Sequence, residues 1–144
     1  MTEYIKRPEI RWADLDPNFH IRHSVYYDLG AYCRISYLEE HGLTPVLMQE
    51  LHFGPIIFRE EAIFRRELKM GDQVSIDLHL TRSRKDFSRW SIRHQLFKDA
   101  LTLAATINID GAWMNTQARK LALPPEQIIA VFETMPRSEG FEWA

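Results

Sequence analysis

Residues 11–26 read RWADLDPNFHIRHSVY and join a polar turn to the start of a long apolar helix. Asp16, Asn18 and His20 lie together in that turn, just before the helix begins. The unpaired N–H groups at a helix N-terminus favour negative charge beside them. We therefore expect this stretch to set the position of the main helix and to carry a functional site.

The helix predicted over residues 24–41 is apolar around most of its circumference. One broad face carries Val25, Tyr26, Leu29, Cys33, Tyr37 and Leu38. Such a helix is buried on nearly every side. Gly42 supplies its C-terminal stop. Gly30, in mid-helix, costs about 1 kcal/mol relative to Ala and predicts the close approach of another backbone.

After a short link at residues 44–51, the apolar pattern changes from a period of 3.6 to a period of 2. Alternation of this kind is typical of strands with one buried face. It predicts strands at 56–68, 74–80, 90–96 and 101–109, with a further strand in the first twelve residues. The short segments 69–72 and 98–100 predict hairpins and hence an antiparallel sheet.

The chain ends in a second amphipathic segment. Leu123-Pro124-Pro125-Glu126 predicts the start of a helix that runs through Phe132. The fold class is therefore α+β, a single domain over residues 1–144 in which a long antiparallel sheet wraps around one central helix. Because so small a sheet leaves part of an apolar helix uncovered, we expect a second copy of the chain as partner.

Composition excludes several kinds of protein. The 144 residues are 45% hydrophobic and 26% charged, with a net charge of −2, which does not favour a nucleic-acid partner. No segment approaches the ~20 apolar residues that cross a bilayer, and the N-terminus lacks a signal-peptide core. Cys33 is the only cysteine, so an intramolecular disulfide is impossible. We expect a cytoplasmic protein without membrane contact.

The motif and its surroundings resemble the hotdog-fold thioesterases, specifically the 4-hydroxybenzoyl-CoA thioesterase group. The resemblance rests on Asp14-x-Asp16 before the turn, an aromatic residue opening the helix, and Gly42 near its end. The Gly71-Asp72 turn, the basic link before Trp90, the long strand ending near Trp113 and the late Leu-Pro also have counterparts there. The run Asp16-Pro17-Asn18-Phe19-His20 is similar to the Asp-x-Asn-x-His run of acyl-ACP thioesterases.

The resemblance implies a hotdog fold and hydrolysis of an acyl-CoA or acyl-carrier-protein thioester by a homodimer or a homotetramer built as a dimer of dimers. It makes Asp16 the catalytic carboxylate, acting as general base or as nucleophile. Asn18 and His20 match its polar partners. The backbone N–H groups around His23 and Ser24 would form the oxyanion hole. No metal or other cofactor is expected, since His20 and His23 alone make a weak metal site.

Two further groups are candidate substrate contacts. Tyr26 and Tyr27 line an acyl pocket or belong to the core. Arg82, Arg84 and Lys85 clamp the phosphates of CoA or form a solvated hairpin. The chain departs from the family pattern at Phe19, Arg22, His23 and around Ala31 and Tyr32, whereas Arg34 is retained.

Other interpretations stay open at this point. Asp16-Pro17 is also a common way to cap a helix, and Asn18 is a common turn residue. The same fold also serves enoyl-CoA hydratases, although their acid/base pair is usually spaced one residue wider than Asp16 and His20. A module that binds acyl-CoA or acyl-carrier protein without turnover is the third alternative.

Overall fold

A computed structural model describes residues 3–144 of the chain, which form three helices and eight strands. The helices are α1 (His23–Glu40), α2 (Pro45–Glu50) and α3 (Glu126–Thr134), with a 3-10 turn at Trp12–Asp14. The strands are β1 (Ile5–Lys6), β2 (Phe53–Phe64), β3 (Val74–Asp77), β4 (His79–Ser83), β5 (Arg89–Lys98), β6 (Thr102–Asn115), β7 (Lys120–Leu121) and β8 (Arg137–Trp143).

The strands form one curled sheet around α1. β6 lies between β2 and β5, while β3 and β4 pair end to end along the other edge of β5. β1 continues the sheet beyond β3. The predicted antiparallel arrangement is confirmed for these strands, but β8 lies parallel to β4. Because α3 connects β6 and β7 to β8, the last strand can return in the same direction as β4.

The position of α1 agrees with its sequence pattern to within one residue at each end. Its apolar face is buried, and Cys33 is completely inaccessible. The helix packs against β2, β3 and β6. The α+β prediction, with the sheet wrapped around one long helix, is therefore confirmed. In residues 3–144, no helix has the length and apolar character to cross a membrane.

Gly30 lies close to other groups, as predicted, but these groups are side chains and not another backbone. A Cβ at this position would lie 3.2 Å from Arg34 Nη1 and 3.3 Å from His94 Cδ2. The glycine therefore makes room for two polar side chains that meet against the helix. The predicted approach of another backbone was wrong, because helical periodicity does not tell a side chain folding back from a neighbouring chain.

One of the two predicted hairpins differs from the structure. The segment 69–72 is a tight turn in which Asp72 Oδ2 accepts from the backbone N of Lys69 at 2.9 Å. It is not a hairpin, because β2 pairs with β6 and β3 pairs with β5. The hairpin at 98–100 is present between β5 and β6. There Asp99 and Ala100 have φ angles of 53° and 68°.

Several strand bounds also differ from the predictions, and the strand predicted at 74–80 is divided at Leu78 into β3 and β4. β2 stops at Phe64 because the N–H groups of Arg65 and Arg66 both donate to the Ala104 carbonyl, at 2.8 and 3.0 Å, which ends the ladder. Leu101 is the last residue of the turn between β5 and β6 and is 91% exposed instead of sharing the buried face of β6. The strand predicted at the N-terminus is reduced to Ile5–Lys6.

Candidate active site

The polar turn closes on itself through backbone hydrogen bonds. The N–H of Asp16 donates to the His20 carbonyl at 2.8 Å, and the N–H of Phe19 donates to the Asp16 carbonyl at 3.0 Å. Phe19 takes a left-handed φ of 65°, which lets the chain reverse. Ile21 then fixes the turn to the segment between β2 and β3, since its N–H donates to the Leu68 carbonyl at 2.7 Å.

The Asp16 carboxylate is held by the backbone of this turn. Its Oδ1 accepts from the N–H of Asn18 at 2.9 Å and from the N–H of His20 at 3.1 Å. Within the described part of the chain, Oδ2 has no hydrogen-bond partner. Hydrogen bonds to one oxygen fix the orientation of the carboxylate, and the second oxygen is left free to accept a proton.

Asp16 does not cap α1, so the helix-capping interpretation of Asp16-Pro17 does not hold. The residue before the first turn is Arg22, which has no side-chain capping bond. The N–H of Val25 donates to the Arg22 carbonyl at 3.0 Å. Among residues 3–144, the N–H groups of His23 and Ser24 have no acceptor. They remain available at the positive end of the helix dipole.

A cleft of about 360 Å³ joins this helix start to the segment that follows β2. Its walls are formed by Asp16, His20, Ile21, His23, Tyr26, Phe64, Arg65, Arg66 and Glu67. The cleft therefore brings three of the predicted catalytic residues, Asp16, His20 and His23, to one surface. It also adds charged residues that are distant in sequence.

Glu67 is the neighbour that sequence reasoning missed. Its Oε2 lies 3.1 Å from His20 Nε2, and the carboxylate is largely exposed. The pair orients the imidazole at the edge of the cleft. The only sequence signal was a charged run after β2, and that signal does not identify which turn the run will face.

The other predicted residues of the turn and helix differ in their surroundings. Asn18 is exposed, and it contributes its backbone N–H to the Asp16 carboxylate. Ser24 is exposed at the helix start. The Tyr26 ring is buried and meets the Phe64 ring edge-on, with centroids 4.9 Å apart. Tyr27 is half-buried against the core and is not among the cleft-lining residues.

The basic residues Arg82, Arg84 and Lys85 lie at the other end of the sheet. Arg82 is opposite Ser91 on β5, whereas the cleft end of β2 is aligned through Ala105 with Leu96. The separation between Ser91 and Leu96 corresponds to about 17 Å along a strand. A single chain therefore does not bring these cations to the Asp16 cleft.

No group of three or more His, Cys, Asp or Glu side chains within residues 3–144 is arranged to hold a metal ion. Beside the turn, Arg11 and Asp14 form an ion pair. Arg11 Nη2 lies 2.7 Å from Asp14 Oδ1, and this guanidinium holds the pKa of the Asp14 carboxyl below its ordinary value. Asp14 thus stabilises the turn, while Asp16 faces the cleft.

One family model matches residues 10–132, and its description is Thioesterase-like superfamily. Among curated proteins, no sequence match was found. The match covers the polar turn, the long helix and the greater part of the sheet.

Solved structures similar to the chain include proteins with described ligands or activities. A hypothetical protein from Staphylococcus aureus, solved in complex with CoA, has a TM-score of 0.83 and 20% identity over 95% of this chain and 88% of its own. A 1,4-dihydroxy-2-naphthoyl-CoA thioesterase from Synechocystis has a TM-score of 0.82 and 14% identity over 92% and 97%.

A thioesterase from Thermus thermophilus, complexed with coenzyme A and Zn, has a TM-score of 0.72 and 24% identity over 88% of this chain and 89% of that chain. At identities this low, the similarities establish the fold. Together with the family match, they confirm the predicted hotdog fold.

Proposed function

The chain belongs to the thioesterase-like superfamily, and on that premise we propose that it hydrolyses the thioester of an acyl-CoA or an acyl-carrier protein to a free acid and a thiol. The observation that carries this proposal is the orientation of Asp16. Two backbone N–H groups hold one oxygen of its carboxylate beside a helix start with unpaired donors. A positioned carboxylate and oxyanion donors are the two parts that acyl transfer to water requires.

In this proposal, Asp16 acts on the thioester carbonyl in one of two ways. As general base, its free Oδ2 takes a proton from water as the water oxygen attacks the carbonyl carbon. As nucleophile, it attacks the carbon itself and forms an anhydride that water then opens. Either route ends with the C–S bond broken, and the thiolate leaves and takes up a proton. A positioned base contributes about 10²- to 10⁴-fold to such a step.

The N–H groups of His23 and Ser24 would receive the developing oxyanion. They carry no competing bond in the described residues, and the helix dipole adds positive potential at this end of α1. Preorganised donors of this kind typically lower a barrier by about 3–4 kcal/mol each. The start of α1 is therefore assigned to charge stabilisation and the turn before it to attack.

His20 and Asn18 support the carboxylate from the same turn. The contact of 3.1 Å between His20 Nε2 and Glu67 holds the imidazole at the cleft edge, where it would orient the attacking water. The Asn18 N–H fixes Asp16, and its exposed side-chain amide would meet the substrate. The wall formed by Tyr26 and Phe64 suits the part of the acyl group nearest the carbonyl. Tyr27 would pack behind this wall.

We assign the working state to a homodimer or a dimer of dimers. Pairing of two copies along β2 would bring the Phe53 end of one strand next to the Phe64 end of the other, because such paired strands run antiparallel. The cleft of one copy would then adjoin the partner's sheet. In that arrangement Arg82, Arg84 and Lys85 would bind the phosphates of a CoA whose thioester lies in the partner's cleft.

The test is release of free thiol from short, long and aromatic acyl-CoA substrates, followed with a chromogenic thiol reagent. We expect hydrolysis by the wild type, with kcat/KM reduced about 100-fold or more in Asp16→Asn. Asp28→Asn is the matched control, because Asp28 is exposed on α1 and lies outside the cleft lining. The control should hydrolyse at the wild-type rate.

Two outcomes would overturn the assignment. Equal rates for the wild type and Asp16→Asn would remove Asp16 from the reaction. Tight binding of acyl-CoA with the thioester intact after prolonged incubation would make the protein a binding module.

A further inference from the structure

Residues 67–69, here called the docking segment, lie against the polar turn and fix it from outside. The N–H of Ile21 donates to the Leu68 carbonyl at 2.7 Å. His20 forms an antiparallel bridge with Lys69. Both contacts are made by the returning half of the turn, which also holds the carboxylate that the turn carries. The direction of that carboxylate therefore depends on where the docking segment lies.

The docking segment belongs to no strand, and its two ends are fixed in different ways. Before it, the N–H groups of Arg65 and Arg66 donate to the Ala104 carbonyl on β6, at 2.8 and 3.0 Å. After it, the N–H of Lys69 donates to Asp72 Oδ2 at 2.9 Å. The N–H of Asp72 donates in return to the Lys69 carbonyl at 3.1 Å and closes the turn. Among these hydrogen bonds, the Asp72 carboxylate is the only side-chain group.

The Asp72 carboxylate is well placed to keep this turn in one shape. Its side chain is 8% exposed, and Lys98 Nζ at the end of β5 lies 3.7 Å from the same oxygen that accepts from Lys69. Gly71, the residue before it, has a φ of 93°, which lets the chain turn back sharply. A hydrogen bond from a backbone N–H to an ionised carboxylate is stronger than one between neutral groups. Loss of this acceptor would therefore loosen the end of the docking segment.

We propose that Asp72 is a positioning residue for the Asp16 carboxylate, which it holds in the orientation for attack by fixing the docking segment. The inference rests on the proposed thioester hydrolysis. Asp72 does not line the cleft, so it acts on the reaction only through Lys69, Leu68 and Ile21. A displacement of about 1 Å in a catalytic group can cost about 100-fold in rate, so the support of the turn affects the reaction directly.

Two variants of Asp72 test this role with an acyl-CoA that the wild type hydrolyses. Asp72→Ala removes the acceptor and should lower kcat about tenfold, with KM within about twofold of the wild type, because a misplaced attacking group weakens the transition state more than the bound substrate. Asp72→Asn keeps an acceptor oxygen and should retain most of the wild-type kcat. Unchanged kcat in Asp72→Ala, or an equal loss in both variants, would overturn the proposal.

Asp99→Ala is the matched control. Asp99 Oδ1 accepts from the N–H of Gln73 at 3.3 Å, so this variant removes a similar contact at the same end of the sheet without touching residues 67–69. It should hydrolyse the substrate with the wild-type kcat. A loss of kcat as large as that in Asp72→Ala would mean that any loosening of this end slows the reaction, and would refute the specific role of Asp72.

Hydrogen exchange, followed residue by residue by NMR, tests the same link without substrate. In Asp72→Ala the amide of Ile21 should exchange about tenfold faster or more, because local opening of the turn becomes easier. The amide of Ile109, in the middle of β6 between β2 and β5, reports opening of the sheet and should change less. Equal acceleration at both amides, or none at Ile21, would overturn the proposal. A wild type that releases no thiol would refute the proposed hydrolysis instead, and the exchange of Ile21 would still decide whether Asp72 fixes the turn.

Discussion

At the residue scale, the polar turn gives its two aspartates opposite surroundings. The Asp14 carboxylate is 3% exposed and is neutralised by Arg11, with contacts of 2.7 and 3.3 Å. Asp16, two residues later, accepts only backbone N–H groups and lines the cleft. One carboxylate therefore stabilises the turn and the other is available for chemistry, although both belong to the same short motif.

His94 is a buried residue through which the pH of the solvent affects the stability of the fold. It is fully inaccessible, and it connects Arg34 on α1 to the Asp77 carbonyl on β3. Its pKa is lowered to about 3 by burial first and by the Arg34 charge second. Between pH 6.5, the ordinary pKa of histidine, and pH 3, this imidazole is therefore protonated in the unfolded chain and neutral in the folded chain.

We therefore predict that acid destabilises the fold partly through His94. A difference of one bound proton makes the free energy of unfolding fall by about 1.4 kcal/mol for each pH unit below the ordinary histidine pKa. His94→Gln should flatten this dependence when urea unfolding is measured between pH 4 and pH 7. The exposed His52 provides the control, because His52→Gln should keep the wild-type slope. An unaltered slope in His94→Gln would show that His94 is protonated in the folded state.

At the scale of elements, the packing of β5 against β6 depends on a residue with no side chain. The Trp90 ring on β5 lies over Gly111 on β6, its partner in the register. A Cβ on Gly111 would come within 2.4 Å of that ring and 2.7 Å of the Ile56 carbonyl on β2. The glycine thus determines how closely three strands and one indole can approach.

Gly111→Ala should accordingly lower the free energy of unfolding by about 1–3 kcal/mol, because a methyl group forced into a packed site displaces its neighbours. Gly54→Ala is the matched control on β2, where a new Cβ would meet only Thr116 Cγ2 at 3.6 Å, an ordinary contact. Denaturant titration of both variants measures the difference. Equal stability of the two would mean that the Trp90 ring moves aside without cost.

At the scale of the whole molecule, β2 is the feature that indicates association with a second chain. It is 12 residues long and pairs with β6 along one edge, and its other edge has no partner strand in residues 3–144. Ile57, Phe58 and Ile63 on this strand are exposed. A long, apolar, unpaired edge is a place where a second strand adds readily.

If β2 forms the interface, the chain of 17.0 kDa should sediment as a dimer or tetramer. Ile63→Lys should shift it toward the monomer, since a charged side chain would then replace an apolar one on the edge where the two strands pair. Leu101→Lys changes an equally apolar but more exposed residue in the turn between β5 and β6, and should leave the assembly unchanged. A wild type that stays monomeric at all concentrations would exclude this interface.

The sequence by itself determined the local parts of this protein. The apolar circumference of residues 24–41 and the two-residue alternation after residue 74 identify α1 and most of the sheet, because each periodicity reports which face of an element is buried. The same reasoning located the turn around Asp16, since Asp-Pro and Asn are turn residues wherever the chain folds. These signals need only neighbouring residues, and the structure agrees with them.

Only the tertiary structure decided which distant residues meet. That β2 pairs with β6 and not with β3, that Glu67 faces His20, and that Arg34 meets His94 inside a wall of indoles all follow from how the sheet closes around α1. Periodicity specifies a face but not its partner, because pairing is selected by the packing of the whole core. The Asp16 turn can therefore be predicted from the sequence, whereas the cleft exists only once the sheet has curled.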